Sequence, residues 1–280
     1  MYTSILNRLF NSNSDQACKH ILEIYSRKGF CIVDYLYFAN ISGKQLFDIH
    51  RTSYDISVFQ EALLPAYKAM NPDSVYKAYQ DAILDADVVL PDGIALQIFN
   101  FCAKKHGLHN LNGTDFCPYF LSHIKQYYPS KKLNIILYGT HPHLLEKTTT
   151  FLIKQWYHVI YAQDGYTNIH RSRLELALIW KTNDINVLLV ARTTPEYPIQ
   201  EIWTLANKEK IREQGLIVLN QWGTFDFRVG EQKRPSKIIR KLRLEWLRRL
   251  VSDPKRNMKK VWNSLALFRY IFDYLLLKNK

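Results

Sequence analysis

Apolar residues come along this chain in short unbroken blocks, separated by longer stretches in which they recur every three or four positions. The blocks predict strands near 87–90 (DVVL), 133–138 (LNIILY), 157–162 (YHVIYA), 186–191 (NVLLVA) and 216–220 (LIVLN). The stretches predict helices near 74–85, 94–107, 115–127, 142–155, 168–181 and 199–213. Continuous apolar blocks, unlike alternating ones, mark strands buried on both faces. Strand and helix alternating at this spacing predict an α/β fold, a parallel sheet with helices on both faces. Residues 30–38 (FCIVDYLYF) read as a further strand, whereas 43–69 shows no clean period. In such sheets ligands bind beyond the carboxyl ends of the strands, so residues that follow strands are the candidates for chemistry.

After Asp226 the pattern changes. Residues 236–250 (SKIIRKLRLEWLRRL) put Ile238, Leu242, Trp246 and Leu250 on one helical face among basic residues. Residues 258–277 mix Trp262, Leu265, Phe268, Phe272 and Leu276 with Lys259, Lys260 and Arg269. Two readings stand level: the helices lie in a membrane interface, or they pack on the core. The expected organisation is a core over 1–227 and a basic amphipathic helical appendage over 228–280.

Charge sharpens that division. The net charge is +13, and from Arg228 to Lys280 there are 16 Lys and Arg against four acids, a net +12. The first 227 residues are therefore nearly neutral, at +1. An electropositive end of this kind seeks an anionic partner: phospholipid, diphosphate or nucleic acid. An aromatic share of 14%, including 18 Tyr and 6 Trp, fits surfaces that are partly apolar and partly wet. Cys18, Cys31, Cys102 and Cys117 form no C-x-x-C pair and no zinc pattern, and read as reduced, mostly buried thiols. The opening MYTSILNRLF lacks the apolar run of a signal peptide, and no apolar stretch reaches the ~18 residues of a membrane span. A cytoplasmic location is expected.

Five segments could carry chemistry. Val88-Val89-Leu90-Pro91-Asp92-Gly93 leaves Asp92 at a strand's carboxyl end, where a carboxylate can take a proton from a hydroxyl; Pro-Asp-Gly is equally a common turn. Asn110-Leu-Asn-Gly-Thr-Asp115 precedes a helix that Thr114 or Asp115 can cap. Tyr138-Gly139-Thr140 joins a strand to a helix N-terminus, a place for a diphosphate. No G-x-G-x-x-G fingerprint occurs, which disfavours a nicotinamide-linked dehydrogenase. Gln200 and Glu201, in Pro198-Ile-Gln-Glu-Ile-Trp203, begin a helix and either bond a nucleotide or complement the helix dipole. The fifth segment runs from Thr224-Phe-Asp-Phe-Arg-Val-Gly230 through Lys233-Arg234-Pro235 and Leu244-Glu-Trp-Leu-Arg-Arg-Leu250 to Asp253-Pro-Lys-Arg256. A departing diphosphate needs its charge neutralised by a metal or by Arg and Lys. Basic residues are abundant here, which makes a metal-independent transfer the more economical reading.

In order, these pieces resemble the WecG/TagA/CpsF family, glycosyltransferase family 26. They are Asn71-Pro72, Pro91-Asp92-Gly93, Gly113-Thr114-Asp115, Gly139, Asp164-Gly165-Tyr166, Pro198-Ile199-Gln200-Glu201, Phe225-Asp226-Phe227, Lys233-Arg234-Pro235, Glu245-Trp246-Leu247-Arg248-Arg249 and Pro254-Lys255-Arg256. The resemblance covers roughly residues 70–258. It departs from the family pattern at Ala69, where a Thr is usual, at the glycine-free loop Ala191–Tyr197, and in Lys233-Arg234-Pro235, which has lost an Ala; donor choice and donor binding both bear on that loop.

The resemblance implies a Rossmann-like core and an inverting, metal-independent transfer from a UDP-sugar, with no cofactor. The sugar would be N-acetylmannosamine, its uronic acid or a hexose, and the acceptor a sugar on polyprenyl diphosphate that feeds teichoic acid or other cell-surface polysaccharide. Asp92 falls at the position of the proposed catalytic base. Asn71 and Gln200 fall where the family contacts substrate, and Gly113, Thr114, Asp115, Gly139, Glu201 and Asp226 join them as candidate substrate-binding residues. Arg249, Arg256 and Lys259 fall in the family's C-terminal appendage, which docks on the inner face of the cytoplasmic membrane and closes over the active site. Anionic lipid attracts such residues by about 1 kcal/mol each. The expected partners are thus a UDP-sugar, a lipid-linked acceptor and an anionic membrane surface, not nucleic acid; oligomeric state is left open. The rival readings are a degenerate relative that only binds membrane or nucleic acid, and a UDP-sugar hydrolase.

Overall fold

A computed structural model of the chain describes residues 6–37, 72–104, 107–164, 184–191 and 199–221, without the side chains of 37, 72–76, 103–104 and 199. In chain order the elements are α1 (Ser14–Lys28), β1 (Cys31–Tyr37), α2 (Pro72–Asp85), β2 (Val88–Asp92), α3 (Ile94–Lys104) and α4 (Gly113–Tyr127). There follow β3 (Leu133–Gly139), α5 (Pro142–Lys154), β4 (His158–Gln163), β5 (Ile185–Ala191), α6 (Ile199–Ala206), α7 (Lys208–Gln214) and β6 (Leu216–Asn220). The six strands form one sheet in the order β2-β1-β6-β5-β3-β4, and every pairing is parallel.

The α/β architecture with a Rossmann-like parallel sheet is therefore the one expected, and each predicted strand is present to within two residues at its ends. The predicted helix 168–181 and the appendage 228–280 lie outside the described residues. Two helical readings are corrected. The pattern over 199–213 is two helices, because the N–H of Asn207 turns to the carbonyls of Trp203 and Thr204 and its side-chain amide also donates to Trp203. The first helix, α1, is missed by the sequence reading, although its signals are complete. Asn13 caps it by accepting from the N–H of Gln16, and Gly29 ends it in the left-handed conformation with φ 79°. Ala17, Cys18, Ile21, Leu22 and Ile24 supply its buried stripe.

Successive residues along each strand face opposite layers. On one side Ile32, Leu36, Leu188, Val190 and Val218 meet Tyr79 and Ile83 of α2, Leu96 and Phe99 of α3 and Trp203 of α6. On the other, Val33, Tyr35, Ile135, Leu137, Val187 and Leu189 meet Ile21 of α1, Phe116 and Phe120 of α4, and Leu145 and Leu152 of α5. β3, β5 and β6 are buried along almost their whole length, whereas β4 at one edge alternates and carries a bulge between Ile135 and Ile136 of its neighbour. At the other edge the N-terminal segment closes β2: Leu9 bridges Val89 in parallel, and the N–H of Phe10 donates to the Val89 carbonyl at 2.8 Å.

All four cysteines are free thiols, with Cys18, Cys31 and Cys117 buried, as expected. Burial pushes the Cys18 thiol up to about 12 and raises Cys31 as well, so both are inert core residues. Among the described residues no helix is long and apolar enough to cross a membrane.

Leu188, fully buried at the centre of β5, reports on this core. Leu188→Ala should lower the unfolding free energy by about 2–5 kcal/mol in denaturant titrations. A loss below ~1 kcal/mol would mean that the two faces of the sheet are not packed as described.

Candidate active site

The strand order makes a crevice. β3 runs into α5 on one face, while its neighbour β5 leads towards α6 on the other. Where adjacent parallel strands send their connections to opposite faces, the gap at their carboxyl ends is open to a ligand. Gly139 and Ala191 end the two strands as register partners, and the N–H of Thr140 donates to the Ala191 carbonyl at 2.7 Å. Gly139 turns at φ 111°, which favours glycine, and Thr140 follows at φ 61°, a costly conformation for a β-branched residue. α5 begins there at Pro142, with no side-chain cap from His141.

Asp92 is the last residue of β2, register partner of Tyr37, and is partly exposed after four buried residues. Its Oδ2 accepts the backbone N–H of Gly113 at 3.2 Å. Gly93 turns the chain at φ 92° into α3, and its N–H reaches Asn110 Oδ1 at 3.3 Å. The N–H of Leu111 donates to the Pro91 carbonyl at 3.0 Å. Thus Pro91-Asp92-Gly93 and Asn110–Asp115, about twenty residues apart in sequence, are one unit in space. The cap of α4 is neither Thr114 nor Asp115 but Asn112, whose Oδ1 accepts from the N–H of Asp115 at 3.0 Å and whose amide donates to Asp115 Oδ2. The positive end of α4 therefore lies against the Asp92 carboxylate and attracts its charge.

Gln200 and Glu201 are placed differently. Both lie in the first turn of α6, 0% and 1% exposed, and Gln200 Nε2 donates to Glu201 Oε1 at 2.9 Å. Among the described residues Glu201 Oε2 is buried without a hydrogen-bond partner. Beside them Thr204 donates to Asn220 Oδ1 at 2.8 Å, and Asn220 donates in turn to Asp34 Oδ1. Asp34, on β1, is fully buried. Burial drives its carboxyl up to about 7, against the pull of the Asn220 bond and with help from the charge of Asp85. Glu201 is pushed well above the carboxylate range by burial first and by Asp34 second. Glu201 therefore belongs to a buried polar array rather than to a solvated helix end. Asp34 is a functional candidate that the sequence reading passed over; its signal is a lone charge inside the apolar run FCIVDYLYF.

The sequence holds one Asp-x-Asp spacing, Asp85-Ala86-Asp87. It precedes β2, at the edge of the sheet opposite Asp92. Asp85 is paired with Lys208 and Asp87 with Lys28, each at 2.6 Å, and Asp87 also accepts the N–H of Ile32. These carboxylates tie helices to strands. A cavity at that same edge, lined by Tyr25, Gly29, Asn186 and Arg212–Gly215, is likewise remote from the carboxyl ends of the strands.

The sheet thus brings Asp92, Gly113, Thr114 and Asp115 together at one end of its carboxyl edge and sets Gly139 at the crevice. Gln200 and Glu201 lie under the same edge. With strands ~4.8 Å apart, β2 stands about 15 Å from β5 along that edge. Asn71, Asp226, Arg249, Arg256 and Lys259 lie outside the described residues.

A family model described as the glycosyl transferase WecG/TagA/CpsF family matches residues 63–280. The matched stretch contains Asp92, α4, the crevice and α6; α1, β1 and Asp34 precede it.

The buried carboxyl of Asp34 yields a test with a defined sign. Its folded-state value lies above the ordinary 3.8, so the native state holds a proton that the unfolded chain releases. Its contribution is most favourable below pH 4 and is lost as pH rises towards about 7, by about 1.4 kcal/mol per pH unit within that window. Asp34→Asn removes the ionisation and keeps an acceptor for Asn220. Unfolding free energies from pH 5 to 8 should fall more steeply with pH in the wild type than in the variant, and parallel profiles would contradict the assignment.

Proposed function

The chain belongs to the WecG/TagA/CpsF family of glycosyltransferases, and on that premise we propose that it transfers a sugar from a UDP-sugar to a polyprenyl-diphosphate-linked acceptor, with inversion and without a metal. The donor sugar is N-acetylmannosamine, its uronic acid or a hexose, and the product feeds cell-surface polysaccharide or teichoic acid. The observation that carries this reading is the placement of Asp92. A partly exposed carboxylate at the carboxyl end of a buried strand, held by the Gly113 N–H, suits a base fixed in one orientation.

In the proposed reaction Asp92 takes the proton of the acceptor hydroxyl as that oxygen attacks the anomeric carbon. The bond from that carbon to the UDP oxygen breaks on the opposite face, and UDP leaves with the electron pair. Asn71 holds the substrate, and Gln200, buried and bonded to Glu201, supports the start of α6 beneath it. The crevice at Gly139 and the start of α5, three to four strand spacings from Asp92, suits the nucleoside end of the donor rather than the bond that breaks. Arg249, Arg256 and Lys259 neutralise the charge of the diphosphate in place of a metal. Two features support metal independence: the dense basic charge of residues 228–280, and the commitment of Asp85 and Asp87 to lysines at the far edge. The same basic charge suits an anionic membrane surface, where the lipid-linked acceptor resides.

The test is turnover of a panel of UDP-sugars on liposomes carrying a polyprenyl-diphosphate sugar. Asp92→Asn should lower kcat by about 10²–10⁴-fold, the range for loss of a positioned base, and EDTA should leave the wild-type rate unchanged. Wild-type turnover that survives Asp92→Asn would remove the base, and turnover abolished by EDTA would remove the metal-free mechanism. Release of free sugar without transfer would identify a hydrolase.

A further inference from the structure

Residues 6–28 precede the stretch matched to the family, yet they reach the site. Leu6 is buried, Arg8 donates to the Ala86 carbonyl, Leu9 bridges Val89, and the N–H of Phe10 donates to the Val89 carbonyl. Because this pairing is parallel, the segment advances alongside β2 towards its carboxyl end. Asn11 arrives next to the loop that leads into α4. Its Nδ2 donates to the Gly107 carbonyl at 3.0 Å, and its Oδ1 accepts the N–H of His109 at 3.3 Å. One amide thus closes a ring on three residues of that loop.

From there the bonds continue to Asp92. Asn110 Oδ1 accepts the N–H of Gly93, Leu111 donates to the Pro91 carbonyl, and Gly113 donates to Asp92 Oδ2. Leu108 is buried in the core layer on one face of the sheet and Leu111 in the layer on the other, so the loop straddles the end of the edge strand. Those anchors fix where it lies, while the backbone groups of Gly107 and His109 are held by a side chain from outside it. We propose that Asn11 is a positioning residue for the transfer: it locks the 107–112 loop so that the Gly113 N–H holds the Asp92 carboxylate in its reactive orientation. A misplacement of about 1 Å at a reacting group costs up to ~100-fold in rate, so a side chain remote from the substrates can act on turnover through this chain of bonds. The catalytic half of the inference rests on Asp92 as the base.

Amide hydrogen exchange and liposome turnover on the full chain test it together, with Asn11→Ala, which loses both bonds, and Asn11→Asp, which keeps only the acceptor. In Asn11→Ala the amides of His109, Leu111 and Gly113 should exchange about tenfold faster, the size of a lost net hydrogen bond, while those of Ile135–Leu137 are unchanged. Its kcat should fall about tenfold on the same scale, with KM for the UDP-sugar unmoved and the unfolding equilibrium shifted by no more than the same factor, and Asn11→Asp should fall between. Unchanged exchange at Gly113 would overturn the clamp. Faster exchange with full turnover, in an enzyme that Asp92→Asn disables, would overturn the positioning role. If Asp92→Asn turns over like the wild type, the base assignment falls, and faster exchange at Gly113 in Asn11→Ala still upholds the clamp.

Discussion

A parallel sheet buried on both faces delivers the residue after every strand to the same edge, and the rest of this molecule follows from that constraint. The central strands β3, β5 and β6 are buried along almost their whole length, so most polar groups gather where strands end. Each return to the starting edge needs a crossover, so both faces are covered by helices. β3 and β5 are the neighbours whose connections diverge, with α5 on one face and α6 on the other. Asp92, Gly139 and the start of α6 come to this edge from well-separated parts of the sequence because the topology gives them nowhere else to go.

The same edge holds carboxyl groups in two contrasting environments. Asp92 stands partly in solvent, with an amide and a helix N-terminus beside it. Asp34 and Glu201 are sealed beneath α6, where burial favours their protonated forms and Asn220, Thr204 and Gln200 supply hydrogen bonds. Of the three, Asp92 alone is reachable from solvent. The buried pair instead links β1, β6 and α6, and so sets the height at which Gln200 enters the edge. Replacing either member by an apolar residue would leave a buried polar partner unsatisfied.

Much of the fold was legible because it is local. The apolar runs at 133–138, 186–191 and 216–220 had one reading once their length and the intervening helical periods were counted. The ends of Pro91-Asp92-Gly93 and Gly113-Thr114-Asp115 were visible too, but not their union, since a 3.2 Å bond between residues twenty-one apart depends on how a loop folds back. α1 was hidden by a modest apolar stripe among polar residues, although Asn13 and Gly29 marked both its ends. Asp34 could have been suspected from its place in an apolar strand. That Glu201 turns inward to join it could not, because the helix dipole offered an equally sound reason for an acid at that position. The lysine partners of Asp85 and Asp87 were likewise beyond reach, being 123 and 59 residues away.

The claim that everything else rests on is that the carboxyl edge of the sheet is where the donor binds. Amide hydrogen exchange of the full chain with and without UDP tests it most directly. Binding there slows exchange at the carboxyl ends of the strands and the helix starts that follow them, around Gly93, Gly113 and Thr140–Leu144, with no change at the opposite edge. Protection confined to Gly29 and Arg212–Gly215 would instead place the nucleotide in the cavity at the amino edge and rule out a donor site at the carboxyl edge.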